Sequence, residues 1–470
     1  MNEALRIMFY LTRTIFLAVS LTALLGFSCQ SERTQSLVSD NAKDAFKAIP
    51  LNSTISQVQP MTGIVYWADE DDDLLKTAPI QLEFSHIYYD EIVSVKGQYN
   101  WQCIDDLLDK IKDRGHQAVI RFTDISGGTS QICDPGKKKK LEDTSVPAYV
   151  KKSNGYAETK KKVQGNNLFL TNWKHPELRS FVLDFFKEFA TRYDKDSRIA
   201  FVQVGFGIWS EYHLDPYQPK LDVDFPDRDF QKTFIEHLNT HFKETLWMIS
   251  LDAHEPKRTP FATDEKLIGI PFGIFDDSFL DKNYTRKQVR WNVFGSERWK
   301  TNPIGGEFAN DVRKLKSLYT SAPYEVTFDS LSSTMHTTFM LGSPKYKDGG
   351  GWKPFDSQLV LKSGQKFGYQ FKILKFGYNA VKSFVTVQNV GNAPIYYDAY
   401  VAVCNELAPT NCSTMENIKQ DVKSLIRMLP NETRDFDIDR GGNNLILKIE
   451  SKRLVPGQKI GYEADLKSLQ

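Results

Sequence analysis

Cysteine is scarce in this chain of 470 residues, with five in all, and no apolar run is long enough to cross a bilayer. The longest, Thr14 to Phe27, falls well short of the roughly 20 residues a spanning helix needs. Net charge is nearly absent too, at +1, which argues against a general polyanion-binding surface and hence against a nucleic-acid partner. No C-x2-C spacing occurs, so no structural zinc is expected. Neither a G-x-S-x-G elbow, a P-loop nor a G-x-G-x-x-G turn after a strand is present, which leaves no serine-hydrolase, nucleotide or dinucleotide chemistry to expect and no cofactor to assign. Internal repeats and coiled-coil heptads are also missing.

The chain does contain an export pattern at its start. Arg6 and Arg13 precede the apolar run, and Ser28-Cys29 follows it, which reads as a signal peptide over 1–28. The Cys after that break resembles the lipobox of bacterial lipoproteins, which implies lipidation at Cys29 and a membrane partner through that anchor, on the outer membrane. Residues 29–58 are polar and read as a flexible tether. In an oxidising compartment the remaining Cys103, Cys133, Cys404 and Cys412 permit disulfides; 404–412 would staple one loop, and 103–133 would join a helix to a later loop.

From residue 61 onward, short apolar runs alternate with amphipathic stretches, the pattern of βα units. Eight strand candidates appear, at 63–67, 80–88, 118–122, 200–205, 246–251, 267–274, 303–308 and 337–341. Between them, 104–114 and 176–193 carry apolar residues at helical spacing, with Asn172 or His175 as a cap and Pro176 in the first turn of the second. This predicts an α/β fold, a (β/α)8 TIM barrel over 59–348. Past residue 350 the segments are short, alternating and punctuated by Gly, Asn and Pro, which predicts an antiparallel β-sandwich over 349–470, packed against the barrel and helping to shape its cleft.

Barrel active sites lie at the C-terminal ends of the strands. The fourth candidate strand runs into Trp209-Ser210-Glu211-Tyr212-His213, and the seventh reads Pro303-Ile304-Gly305-Gly306-Glu307-Phe308. Two strand-end acids would thus point over one cleft. Glycosidic cleavage uses such a pair: one carboxylic acid protonates the leaving oxygen while the other carboxylate attacks or stabilises the anomeric carbon. Arg121 at the end of the third strand would face the same space and hold one acid ionised. Trp209 and His213 flank the first acid, and Tyr88, Asp252 and Asp276 end or follow other strands, where they could bond sugar hydroxyls. The loop after the third strand, 124–171, is unusually long, and from Gly136 to Lys162 it holds nine lysines against three acids. Such a loop would attract an anionic or sulfated sugar.

This arrangement resembles the clan A glycoside hydrolases, with paired acids on strands four and seven. Carried over by position, Glu211 is the acid/base and Glu307 the nucleophile of a retaining reaction on a polysaccharide or oligosaccharide. The chain departs from that pattern at Ser210, where the clan has Asn. The stretch Trp209 to His213 and the run Asn389-Val390-Gly391-Asn392-Ala393-Pro394-Ile395-Tyr396 also resemble a family of bacterial barrel-plus-sandwich lipoproteins. A non-catalytic glycan-binding lipoprotein on the same fold is the alternative these residues leave open.

Overall fold

The computed structural model describes residues 46–125, 131–134, 136–137, 139–140, 143–163, 166–212, 219–282, 290–320 and 327–467. Cys29, the signal peptide and most of the tether therefore lie outside the described residues. Eight strands close into an all-parallel barrel, adjacent in chain order: β1 (Gly63–Trp67), β2 (Leu82–Tyr88), β3 (Gln117–Thr123), β4 (Ile199–Val204), β5 (Leu246–Ser250), β6 (Gly273–Phe279), β7 (Ile304–Phe308) and β8 (Phe339–Leu341). The expected barrel is present. The sixth candidate strand was displaced, because Glu265–Ile268 is a helical turn capped by Asp264 and the strand begins only at Gly273. A four-residue apolar run suits either state, and the Asp264 cap decides for helix.

Strand alternation sorts the residues of β3 between two cores. Ala118, Ile120 and Phe122 point outward and pack with Ile104, Leu108 and Ile111 of α1 (Gln102–Asp113) and with Phe181, Phe185 and Phe189 of α2 (Pro176–Tyr193). Phe122 meets Phe185 and Phe189 edge-on at 4.8 and 4.9 Å, a favoured geometry for buried rings. Each such phenylalanine contributes on the order of 2 kcal/mol of burial. His175 caps α2 without a side-chain bond, and Pro176 takes the first turn, where its missing N–H costs nothing. Val119 points the other way, into the barrel, beside Phe84, Phe201, Met248, Phe275 and Phe339. Two residues on, alternation puts Arg121 on the same inner face.

The loop after β3 carries structure of its own: a helical turn at Ala148–Lys151, a hairpin of Thr159–Val163 with Asn166–Leu170, and a disulfide from Cys133 back to Cys103 on α1.

Beyond the barrel, β9 (Phe371–Tyr378), β10 (Ser383–Asn389), β11 (Tyr400–Asn405), β12 (Ala408–Cys412), β13 (Thr433–Ile438), β14 (Leu445–Glu450) and β15 (Tyr462–Leu466) form two sheets. Ile373, Val385 and Phe436 of one face Val401, Val403 and Leu447 of the other in one apolar cluster. Cys404 and Cys412 are paired across β11 and β12. One contact is parallel, β9 with β15. The tether expectation needs correction at its end: Leu51–Ser53 pairs with β15 and Lys47–Ala48 with β9, satisfying edges that would otherwise stay open.

The sandwich sits on the barrel floor. The Tyr397 hydroxyl donates to the Ala200 carbonyl at 2.5 Å and accepts from the Leu246 N–H at 3.0 Å. Arg453 donates to the Ile199 carbonyl at 2.7 Å. These are the first residues of β4 and β5, the end opposite the C-terminal mouth, so these contacts brace the floor; the expectation that the sandwich shapes the cleft is corrected. The Asn389 to Tyr396 run is structural here. Asn389 receives the N–H groups of Gln370 (3.1 Å) and Gly391 (3.0 Å) and donates to Ala393 (3.0 Å) and Met428 (2.8 Å), stapling a turn with its whole amide.

Candidate active site

Strand register builds a polar layer just beneath the C-terminal mouth. His86 of β2 is level with Arg121 of β3, which is level with Gln203 of β4. Gln203 Oε1 accepts from Arg121 Nε at 2.9 Å and Nη2 at 2.6 Å. The guanidinium lies over the rings of Phe84 and Phe275, at 5.0 and 4.6 Å. Its Nη1 is 3.3 Å from His86 Nε2 and makes a close ion pair with Glu211. Both side chains of that pair are only 3% exposed.

Glu211 does not end the strand. β4 stops at Val204, and the following segment coils back so that Tyr212 N–H reaches the Phe206 carbonyl at 2.9 Å. Gly207, Trp209, Ser210 and Tyr212 all have left-handed backbone, φ between 55° and 83°. A non-glycine residue there costs of order 1 kcal/mol, and such strain gathers at functional sites. Gly205 is required by contact: a Cβ on it would stand 2.1 Å from the Ser210 carbonyl oxygen. Tyr212 anchors the turn, buried against Phe206 and Phe225. The turn thereby lowers Glu211 onto Arg121. Ser210 is buried and is not among the residues lining the cleft.

Glu307 arrives from the opposite wall. Gly305 lies beneath the Phe339 ring, where a Cβ would come within 2.4 Å. Gly306, at φ 144°, lies against the backbone of Asp276, with no space for a side chain. These two glycines let β7 press against its neighbours and turn Glu307 inward. Arg313, six residues on, donates to Glu307 Oε2 at 3.1 Å and to Asn310 at 3.2 Å. Burial, first, and then the charge of Glu211 push the Glu307 carboxyl up to about 8, against smaller lowering by Arg313 and Arg121. His86 is driven down to about 3 by burial and then by Arg121, so it is a neutral imidazole.

Both carboxylates line one cleft of about 730 Å3 together with Trp67, Phe84, His86, Arg121, Trp209 and Arg313. That volume suits a ligand of one to a few sugar rings. A second cavity of about 400 Å3 shares Trp67, Phe84 and His86 with the first and is lined as well by Leu107 and Ile132, each close in sequence to a cysteine of the Cys103–Cys133 bridge.

Four expected residues, Arg121, Trp209, Glu211 and Glu307, meet in this cleft. His213 lies outside the described residues. Three others do not line it. Tyr88 is buried, with the Lys139 ammonium over its ring at 5.4 Å. Asp252 pairs with Arg290 at 3.0 Å. Asp276 is buried and receives the Ser278 N–H at 3.0 Å, while its neighbour Asp277 takes the cleft position. Sequence reading missed His86, Trp67 and Arg313; alternation along β2 was the available signal for His86. The lysine-rich loop also reads differently in three dimensions. Lys137 pairs with Asp134, Lys139 with Asp90 and Lys161 with Asp224. Among the described residues the cleft holds Glu211, Glu307, Asp277, Asp281 and Asp311 against Arg121 and Arg313, a balance that does not favour an anion.

No family model and no curated protein matches the chain. Among solved structures, it is similar to endo-glycoceramidase II from Rhodococcus sp. at 10% identity and TM-score 0.39, over 84% of this chain and 99% of that one. It is also similar to a glycoside hydrolase family 30 subfamily 8 xylanase from Clostridium acetobutylicum, at 14% identity and TM-score 0.35, over 83% and 98%. A β-galactosidase from Bacillus circulans sp. alkalophilus follows at 10% and 0.36, over 67% and 56%. The barrel assignment rests on the strand ladder itself.

Proposed function

We propose that this chain is a glycoside hydrolase of the retaining type, with Glu211 and Glu307 as its paired carboxylates and an uncharged polysaccharide or oligosaccharide as substrate. The observation that carries this reading is that two acids from opposite walls of a closed barrel line one cleft beside a buried guanidinium. The same strand-four and strand-seven placement is what the resemblance to clan A implies. Glu211 lies near enough to raise Glu307, and the retaining outcome is what the resemblance to clan A implies. Trp67 and Trp209 supply the flat apolar faces on which sugar rings stack. We further infer export and lipid anchoring at Cys29 from the leader pattern; a Cys29→Ala variant that still partitions into membranes would remove that inference.

The glycan-binding alternative is favoured by one observation, the buried ion pair that Glu211 makes with Arg121. Incubating the purified protein with a panel of neutral, amino and uronate polysaccharides separates the two readings. Hydrolysis predicts new reducing ends from at least one neutral member, and their loss in Glu307→Gln with binding retained. A wild-type protein that binds a glycan and releases nothing from it would leave only the binding reading.

A further inference from the structure

The barrel wall is uneven at its mouth. β1 pairs with β2 only as far as Trp67 opposite Phe84, whereas β2 stays paired with β3 up to Tyr88 opposite Thr123. After Trp67 the chain leaves the sheet for the helical turns at Asp72–Thr77. A notch therefore opens between β1 and the last residues of β2, and the second cavity, of about 400 Å3, lies there. Trp67, Phe84 and His86 line both this chamber and the cleft, and their rings meet edge-on at 5.0 to 5.2 Å. The two spaces adjoin across these three rings. Glu211 and Glu307 are not among the residues that line the chamber.

Leu107 of α1 and Ile132 of the loop after β3 supply another part of its lining. That loop is tied down close to Ile132. Cys133 bonds Cys103 on α1, the Cys133 N–H donates to Glu91 Oε1 at 3.0 Å, and Lys139 pairs with Asp90. Glu91 Oε2 accepts the Tyr88 N–H at 3.3 Å, which links the loop to the end of β2. A wall held in this way stands before a ligand arrives, so little ordering has to accompany binding.

His86 adds a polar atom in need of a partner. It is 6% exposed. Its Nε2 stands 3.3 Å from Arg121 Nη1, and a guanidinium only donates, so Nε2 accepts and the ring proton sits on Nδ1. Among the described residues that Nδ1–H has no hydrogen-bond partner. A buried donor left unpaired is unfavourable, and a ligand oxygen beside the ring would satisfy it. The described charges around the chamber are Asp69, Glu70 and Asp106 against Lys110, a balance that disfavours an anion and offers acceptors to sugar hydroxyls.

We propose that the chamber at the β1–β2 notch binds a further, uncharged sugar unit of the substrate, hydrogen-bonded by the Nδ1–H of His86, with the Cys103–Cys133 bridge holding one wall. This rests on the glycoside hydrolase reading above and narrows its substrate. The chain that fits is long enough to place one unit at Glu211 and Glu307 and another across the Trp67, Phe84 and His86 rings. The chamber unit takes no part in bond breaking; it contributes affinity and selects for length.

The test is calorimetric titration of Glu307→Gln, which leaves the sugar intact, with neutral gluco-, xylo-, manno- and galacto-oligosaccharides from monosaccharide to hexasaccharide. In a series that binds, affinity should rise by about tenfold or more at the length that reaches the chamber. Adding Ile132→Trp, which fills the chamber from a loop position, should erase that rise while shorter members still bind within about twofold, the control for folding. In protein labelled with 15N at histidine, the His86 Nδ1–H signal, assigned by its loss in His86→Gln, should shift with the longer members and stay in place with the shorter. A rise that survives Ile132→Trp, equal losses at every length, a His86 signal unmoved by the longer members, or no binding by any series overturns the proposal. A wild type that shows the rise in affinity and cleaves nothing would lose the hydrolase reading and keep the chamber.

Discussion

Replacing Glu307 by Gln should change how stability depends on pH, in a direction the structure dictates. The wild-type carboxyl is raised from 4.5 to about 8, chiefly by burial. Below the lower value both folded and unfolded chains hold the proton, and above the higher one neither does. Between them the folded chain binds one proton that the unfolded chain has lost, so wild-type stability falls as pH rises through that window. Gln is uncharged throughout and lacks this slope. The difference in unfolding free energy, variant minus wild type, should therefore grow with pH, by at most about 1.4 kcal/mol per pH unit. Coupling to Glu211 spreads the effect and makes the slope shallower than that limit. Urea unfolding at a series of pH values with both disulfides oxidised gives the two curves, and every other titrating group largely cancels between them. Parallel curves, or a gap that closes as pH rises, would refute the burial argument for Glu307.

Two further perturbations probe how the site is held. Arg121→Met should cost about 3 to 5 kcal/mol, because it strands Glu211 in a buried position, and adding Glu211→Gln to it should recover part of the loss; additive losses in urea unfolding would show that the pair is not coupled. Gly306→Ala places a Cβ 1.9 Å from the Asp276 carbonyl oxygen at φ 144°, so it should lower stability by about 2 kcal/mol or more and weaken turnover further by displacing Glu307. A variant with wild-type melting temperature and rate would mean that the β6–β7 contact does not position the acid.

The barrel was legible because its cause is local. Apolar strands alternating with one-sided helices such as α1 and α2 leave a trace in the sequence wherever burial is one-sided, and Arg121 and Glu307 could be placed inward by counting along their strands. Glu211 was found in the right cleft by the wrong route, since it hangs from a left-handed turn seven residues past Val204 rather than from the strand. Turns of that kind depend on contacts such as Gly205 with Ser210, which sequence spacing does not display. His86, Trp67 and Arg313 join the site only when the barrel closes and brings β1, β2 and the loop after β7 to the same mouth. The lysines of the long loop suggested an anion because their acidic partners, Asp90 and Asp224, are distant in the chain. The sandwich position was equally hidden: Tyr397 and Arg453 reach backbone groups at the strand starts, contacts that leave no side-chain pattern on the barrel.

The central claim is that Glu211 and Glu307 act as one unit on a sugar bond. Its most direct test is kcat/KM for Glu211→Gln, Glu307→Gln and the double variant on an unactivated oligosaccharide that the wild type cleaves. Each single change should cost about a thousandfold or more, and the double change little beyond either, as expected of residues that work together. Either single variant cleaving that substrate within about tenfold of the wild-type rate would contradict the account.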